Sequence, residues 1–359
     1  MRIDGIELRQ FRSYEKAAFA FSPDVNIVCG DNGRGKTNLL EAVWLLTGVR
    51  SWRAARKSVL VRWEQERALL RARVLAHGRS CEVRLELPAA GRALATVNGV
   101  RLRRQSELSE TLRCVLFSPE DLTLVKGPAA ARRDFLDDAL CQLRPRYAEA
   151  LGRYQYLLDS KNKLLRDENQ RAYAEKLLPD FDAQLASLGA VLIGYRARFC
   201  RELGRQAALL HGEISGGRET LTLRYQTVST VADPLAPEPE VAQRLREHLL
   251  AHRQAELQSG GCLSGVHRDD LLLDIGGREA RAYASQGQTR SAALALKFAE
   301  RELFCRDAGE PPVLLLDDVL SELDAERRAF VSQHATGGQT ILTCCEDPRQ
   351  FEGANVIAL

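Results

Sequence analysis

The sequence predicts an α/β fold: a core with a mixed β-sheet, built from both chain ends and interrupted by an inserted, mostly helical lobe that contains a short antiparallel helical pair. Three observations predict it. Gly30-Asp31-Asn32-Gly33-Arg34-Gly35-Lys36-Thr37 near the start is a complete G-x-x-x-x-G-K-[ST] loop. Val313-Leu314-Leu315-Leu316-Asp317-Asp318 near the other end is an apolar run closed by tandem carboxylates. Between them, apolar residues recur every three or four positions over long stretches. The implied division is an α/β domain of residues 1–117 and 291–359, with a lobe of residues 118–290 that carries a Ser-Gln-Gly-Gln turn at its end.

Taken in order, Ile6 and Leu8 alternate with Glu7 and Arg9 as in a half-buried strand, and Val25 to Cys29 reads as a buried strand. Asn38 to Thr47 reads as a helix stopped by Gly48. Residues 50–57 hold four arginines and lysines around Trp52 and Ser51, either a solvated loop or a nucleic-acid contact. Leu69 to Leu75 and Cys81 to Leu87 are strand-like, and Asn98-Gly99 signals a two-residue hairpin. From about Arg132 the pattern turns helical. Leu151, Tyr154, Leu158 and Leu165 form one stripe, and Phe181, Leu185, Leu188, Leu192, Tyr195, Phe199 and Leu203 form a second. Each helix is expected to run roughly 30–40 Å at 1.5 Å per residue. Prolines at 234, 237 and 239 mark a linker, another helix precedes Gly260-Gly261, and Leu271 to Ile275 with Ala280 to Ala284 reads as a hairpin.

The glycine loop lies between strand and helix, the setting in which its backbone N–H groups wrap a phosphate at a helix N-terminus. ATP with Mg²⁺ is the expected cofactor. Gly30, Asp31, Asn32, Gly33, Arg34, Gly35, Lys36 and Thr37 are the binding candidates, with Lys36 reaching the β- and γ-phosphates. Thr37 and Asp317 are the candidate Mg²⁺ ligands, and Asp318 stands where a general base or water-orienting carboxylate belongs, so Lys36 and Asp318 are the catalytic candidates. Ser285, Gly287 and Gln288 open an amphipathic helix before the carboxylate strand; alone such a turn reads as an N-cap, and its resemblance to the signature motif of ABC-type ATPases makes the three candidates for a second set of nucleotide contacts. Ser321-Glu322-Leu323-Asp324 reads as a helix start or as a functional loop.

The order of phosphate loop, long insertion, Ser285-Gln286-Gly287-Gln288, carboxylate strand and Ser321 to Asp324 resembles the SMC-like branch of the ABC-type P-loop ATPases. Within it, Leu8 to Tyr14, Phe117 to Leu122, Arg132 to Asp137, Gly265 to Leu271 and Asp317 to Asp324 resemble the bacterial recombinational-repair members. The resemblance implies a weak DNA-dependent ATPase that serves recombinational repair, replication-fork maintenance and the damage-induced SOS response, and helps load recombinase at gaps. It implies an ABC-type head, single-stranded and duplex DNA as partners, an ATP-dependent homodimer and a RecR-type recombination mediator. Ser285 and Gly287 of one copy would touch the γ-phosphate held by Lys36 of the other. The chain departs from the pattern at Gln286, where Gly is usual, and at Val266, where Pro is usual. Cys344, Cys345 and Glu346 fill the place of the switch histidine, which argues for slow turnover. Glu120 is a candidate for the glutamine-loop role, and His267 faces nucleotide or is a core histidine.

The 359 residues, 45% hydrophobic and 28% charged, suit a globular chain with a large core. A net charge of +3 and pI near 8.4 permit nucleic acid without demanding it. Arg53, Arg56, Lys57, Arg103, Arg104, Arg132 and Arg133 are the candidate DNA contacts. No apolar run of membrane-spanning length and no secretory leader is evident, and nine cysteines without framework spacing suit reduced thiols, so a cytoplasmic protein without a membrane partner is expected. Two other readings stay open: the nucleotide-binding subunit of a membrane transporter, and a structural DNA clamp that does not hydrolyse ATP.

Overall fold

The computed structural model describes residues 1–54, 56–167, 171–344 and 353–359. The chain opens with the hairpin β1 (Arg2–Phe11) and β2 (Tyr14–Ala20), then β3 (Val25–Cys29) leads through the glycine loop into α1 (Lys36–Leu45). β4 (Arg67–Ala76), β5 (Arg79–Pro88), β6 (Leu94–Val97) and β7 (Val100–Arg101) follow, then β8 (Cys114–Phe117). The lobe holds α2 (Thr123–Lys126), α3 (Ala129–Leu143), α4 (Pro145–Arg166), α5 (Arg171–Ile214), β9 (Leu221–Gln226), α6 (Glu238–Ser259), β10 (Asp270–Ile275), β11 (Arg278–Glu279) and α7 (Ala280–Tyr283). α8 (Gln286–Ala308), β12 (Val313–Asp317), α9 (Ala325–His334), β13 (Thr340–Cys344) and β14 (Asn355–Ala358) complete the chain.

The parallel and antiparallel strands of the core separate into two sheets. One is five-stranded and parallel, in the order β14-β3-β13-β12-β8; the other is six-stranded and antiparallel, β2-β1-β4-β5-β6-β7. Successive residues of a strand face opposite ways, and the parallel sheet is apolar on both faces. Val28, Leu315 and Ile341 pack with α1 and the antiparallel sheet, while their neighbours Ile27, Leu314, Leu316 and Leu342 pack with α8 and the lobe. Only the C-terminal edge of the parallel sheet is left for polar chemistry, and the pairings Asp317↔Thr343 and Cys344↔Cys29 bring its ends together there.

The Asn98-Gly99 hairpin forms, with φ of 50° and 77° at its two central residues. The helical pair is antiparallel: Tyr147 meets Tyr195, and Lys161 bonds Asp182. It is not short throughout. α4 has 22 residues, but α5 has 44, about 66 Å by the helical rise, because apolar positions continue through Ala207 and Leu210 to pack on β9 and α8. Within α5, Glu175–Ile214 is by length and composition able to cross a membrane, which the sequence reading did not anticipate; half of its apolar window is buried and it packs against α4, α6, α8 and β9. Ala280 to Tyr283 is a helical turn rather than a strand, since β11 ends after pairing only Arg278 and Glu279 with β10.

Candidate functional site

The glycine loop joins the buried strand β3 to α1 with its tip, Asp31 to Arg34, exposed. Gly35 has φ 107°, and a Cβ there would lie 2.9 Å from the Tyr14 hydroxyl, so conformation and space both demand glycine. Gly30, at φ 156°, is backed by Leu359, whose oxygen would stand 3.1 Å from a Cβ. The Lys36 ammonium folds under the loop and donates to the carbonyls of Gly30 at 2.5 Å and Asp31 at 3.2 Å. No side chain caps α1, so its first N–H groups point into the loop, a ready anion cradle.

Beside the cradle, the Thr37 hydroxyl donates to Asp317 Oδ1 at 2.9 Å and the Thr343 hydroxyl to the same oxygen at 2.8 Å. Burial pushes the Asp317 carboxyl up, and the hydrogen bonds from Thr343 and Thr37 pull it back. A buried carboxylate oxygen beside a hydroxyl is a donor pair suited to Mg²⁺, which takes one or two protein oxygens and completes its shell with phosphate and water. Asp318 is half-buried in the left-handed region, φ 52°, with its N–H on Thr343 Oγ1 at 2.9 Å. Strain of this kind recurs at functional sites.

Sequence reasoning missed the floor of this site. The Tyr14 hydroxyl donates to the Gly35 carbonyl at 3.1 Å, and burial pushes its pKa up to about 12. Asn38 donates to Ser13 Oγ at 2.9 Å, and Arg53 donates to Asn38 Oδ1 at 3.3 Å. Arg12 grips the fully buried Glu41 of α1 with two hydrogen bonds of 2.7 and 2.8 Å, and Ser51 donates to the same carboxylate. The signal was present in the polar Arg12-Ser13-Tyr14 at the turn from β1 into β2. Glu120 lies in the turn that follows β8, the strand paired with β12, which puts it at the same C-terminal edge of the sheet as Asp317.

The other candidates lie apart from this pocket. Ser285 is exposed and caps α8: its hydroxyl accepts the Gln288 N–H at 3.2 Å, while Gln288 Oε1 accepts the Ser285 N–H at 2.8 Å. Gln288 also donates to Glu219 at 2.8 Å. The atoms nearest a Cβ built on Gly287 belong to Arg327 and Ser285, not to Lys36. Arg327, which the sequence did not flag, ties the two late loops together. It donates to the Gly287 carbonyl at 2.9 Å and to Ser291 Oγ at 2.8 Å, and it pairs with Asp324, the N-cap of α9.

Of the basic candidates, Arg53, Arg56 and Lys57 are exposed, Arg53 bonding Asn38 just after the glycine loop, and Arg103 is exposed near the edge hairpin. Arg104 is exposed and paired with Glu149. Arg132 is not a surface contact: it is 2% exposed, with two hydrogen bonds to Asp270 and two more to the carbonyls of Leu124 and Gly127. Arg133 is half-buried on the Asp269 carbonyl. His267 Nδ1 lies 3.2 Å from the Tyr154 hydroxyl inside the lobe, where burial pushes its pKa down to about 4. Cys345 and Glu346 lie outside the described residues.

Residues 2–358 match the family described as RecF/RecN/SMC N terminal domain. The chain is 40% identical over 347 residues to a DNA replication and repair protein RecF of Symbiobacterium thermophilum, covering 96% of this chain and 92% of that one. It is 36% identical over 345 residues to that of Bacillus subtilis, covering 96% and 93%. A solved structure of the recombination mediator protein RecF-ATPrS in the RecFOR pathway superposes with a TM-score of 0.92 at 31% identity, covering all of this chain and 96% of that one.

Proposed function

This chain belongs to the RecF/RecN/SMC N terminal domain family, on its RecF branch, and we propose that it is an ATP-driven DNA clamp of replication and recombinational repair. ATP and Mg²⁺ are held by residues 30–37 with Asp317, and Asp318 orients the attacking water for slow hydrolysis. Two copies pack head to tail around two nucleotides, so that Ser285, Gly287 and Gln288 of each reach the γ-phosphate bound by Lys36 of the other. ATP thereby favours the dimer by mass action, and hydrolysis releases it.

The observation that carries this reading is the separation of the two half-sites: Ser285 stands exposed at the N-terminus of α8, braced by its own capping box and by Arg327 on the adjoining Gly287, with no nucleotide-loop residue of its own chain against Gly287. Such a terminus is built to meet an anion, and a second copy supplies one. DNA then crosses the clamp on phosphate contacts from exposed cations such as Arg53, Arg56 and Lys57. A head of residues 1–117 and 291–359 carrying a lobe of residues 118–290 is the division we assign, with a RecR-type mediator as the partner. Roles in recombinase loading at gaps and in SOS induction belong to the same reading.

The test is Ser285→Arg. The monomer should bind a fluorescent ATP analogue as the wild type does, while the ATP-dependent dimer disappears from light-scattering chromatography. A variant that still dimerises with ATP overturns the sandwich.

A further inference from the structure

We propose that Cys29 and Cys344 are a modification site: a thiol pair that closes to a reversible disulfide at the root of the phosphate loop. The two residues face each other in register on the neighbouring parallel strands β3 and β13, and their sulfurs lie 3.3 Å apart. Adjacent strands stand about 4.8 Å apart, inside the roughly 4.4–6.8 Å range of Cα separations that a disulfide spans. Closing to a bond of about 2.05 Å asks each sulfur to move only about 0.6 Å, a side-chain adjustment.

Burial sets the order of events. Cys29 is half-buried and Cys344 is buried, so Cys29 is the sulfur that an outside oxidant meets. The oxidant class is a low-molecular-weight disulfide. The Cys29 thiol loses its proton and attacks one sulfur of the oxidant, breaking its S–S bond and releasing one small thiol. Cys344 loses its proton, attacks the Cys29 sulfur of the mixed disulfide and releases the second small thiol. Two electrons pass from the protein sulfurs to the oxidant, and a dithiol reductant runs the exchange backwards.

The bond would tie together the two strands that carry the site. Cys29 runs directly into Gly30, whose carbonyl holds the Lys36 ammonium, and its own carbonyl accepts the Leu359 N–H at 2.9 Å. Cys344 follows Thr343, which bonds both Asp317 Oδ1 and the Asp318 N–H. A covalent tie there fixes the spacing between phosphate cradle and carboxylate anchor and opposes the adjustment that nucleotide entry requires. This consequence rests on the nucleotide reading above; formation of the disulfide does not.

The experiment treats the full reduced chain with oxidised glutathione, maps peptides by mass spectrometry, and titrates a fluorescent ATP analogue. The expected result is a peptide linked through Cys29 and Cys344, affinity weaker by about tenfold, and return of both to the starting state with dithiothreitol. Cys29→Ser, with Cys29→Ala as the second variant, should give no linked peptide and no response of binding to the oxidant. A wild-type chain whose two cysteines stay unlinked, whether unreacted or each carrying glutathione, overturns the proposal. A linked peptide with unchanged affinity overturns its control of the site. A linked peptide in a chain that binds no nucleotide even when reduced upholds the disulfide and removes the nucleotide reading instead.

Discussion

Arg132 gives the sharpest test of how structure reassigns a charge. Its guanidinium makes four hydrogen bonds: two to Asp270 at 2.7 and 2.9 Å, one to the Gly127 carbonyl at 2.9 Å and one to the Leu124 carbonyl at 3.3 Å. The Arg132 side chain is 3% exposed and that of Asp270 16%, so water replaces neither partner well. Arg132→Ala leaves the carboxylate with no counter-charge in a poorly hydrated place, and removing one member of a buried pair costs about 3–5 kcal/mol. Changing both together, as Arg132→Met with Asp270→Leu, removes the stranded charge and should recover most of that loss. The assay is urea denaturation of the wild type, the two single variants and the double variant, beside DNA titrations at several salt concentrations. A single variant as stable as the wild type, with a shallower salt dependence of DNA binding, would show that Arg132 contacts phosphate after all and refute the reasoning.

The exposed cations should behave in the opposite way. Replacing Arg53, Arg56 and Lys57 together by Ala should leave the urea midpoint unchanged and lower the salt slope of duplex binding by about 2–3; an unchanged slope removes them from the interface. Asp318→Asn should keep the fold, because asparagine also accepts the left-handed backbone that Asp318 adopts, and should retain ATP-dependent dimers while phosphate release falls by about 100-fold or more; release at the wild-type rate would end its catalytic role. His267, held near 4 by burial against an ordinary 6.5, takes up its proton later in the folded than in the unfolded chain. The unfolded chain therefore binds more protons between about pH 6.5 and 4, and wild-type stability should fall on acidification through that window. His267→Asn should flatten that fall, and an NMR titration should find the His267 ring neutral until the lower end of the window.

The glycine-loop half of the candidate site was legible because its parts are local. A strand, a glycine loop and a helix lie within some twenty consecutive residues, and Leu314 to Asp317 announces a doubly buried strand by composition alone. The apolar stripes gave α4 and α5 their existence and partner but not their extent. A stripe read to Leu203 does not say where a helix ends when Ala207 and Leu210 go on packing against other elements. Ala280 to Ala284 misled because a short alternation of small residues suits a strand or a turn equally, and only the brevity of β11 decides between them. Arg327 was illegible for a different reason. Its partners Gly287 and Ser291 precede it by 40 and 36 residues, and nothing in the local pattern marks a side chain that works at such range.

The same distance effect explains what the distinctive sequence blocks encode. Arg132 to Asp137 and Gly265 to Leu271 look like site motifs, rich in charge and unusual in order, yet the structure folds them onto each other. Arg132 pairs with Asp270, Arg133 bonds the Asp269 carbonyl, and the buried Arg196 of α5 bridges Asp137 and Asp269. Phe117 to Leu122 joins in through Asp121, which caps its own turn and faces Lys297 of α8. Ser285 begins the helix on which Lys297 sits. These blocks therefore tie the helices and strands of the lobe to one another, and Asp121 with Lys297 ties them to α8. The Asp121–Lys297 contact is thus the charged link from the turn after β8 to α8, the helix that Ser285 opens. Charge was conspicuous in the sequence for that reason: these residues pair across 59 to 138 positions to hold separate helices and strands of the lobe in place.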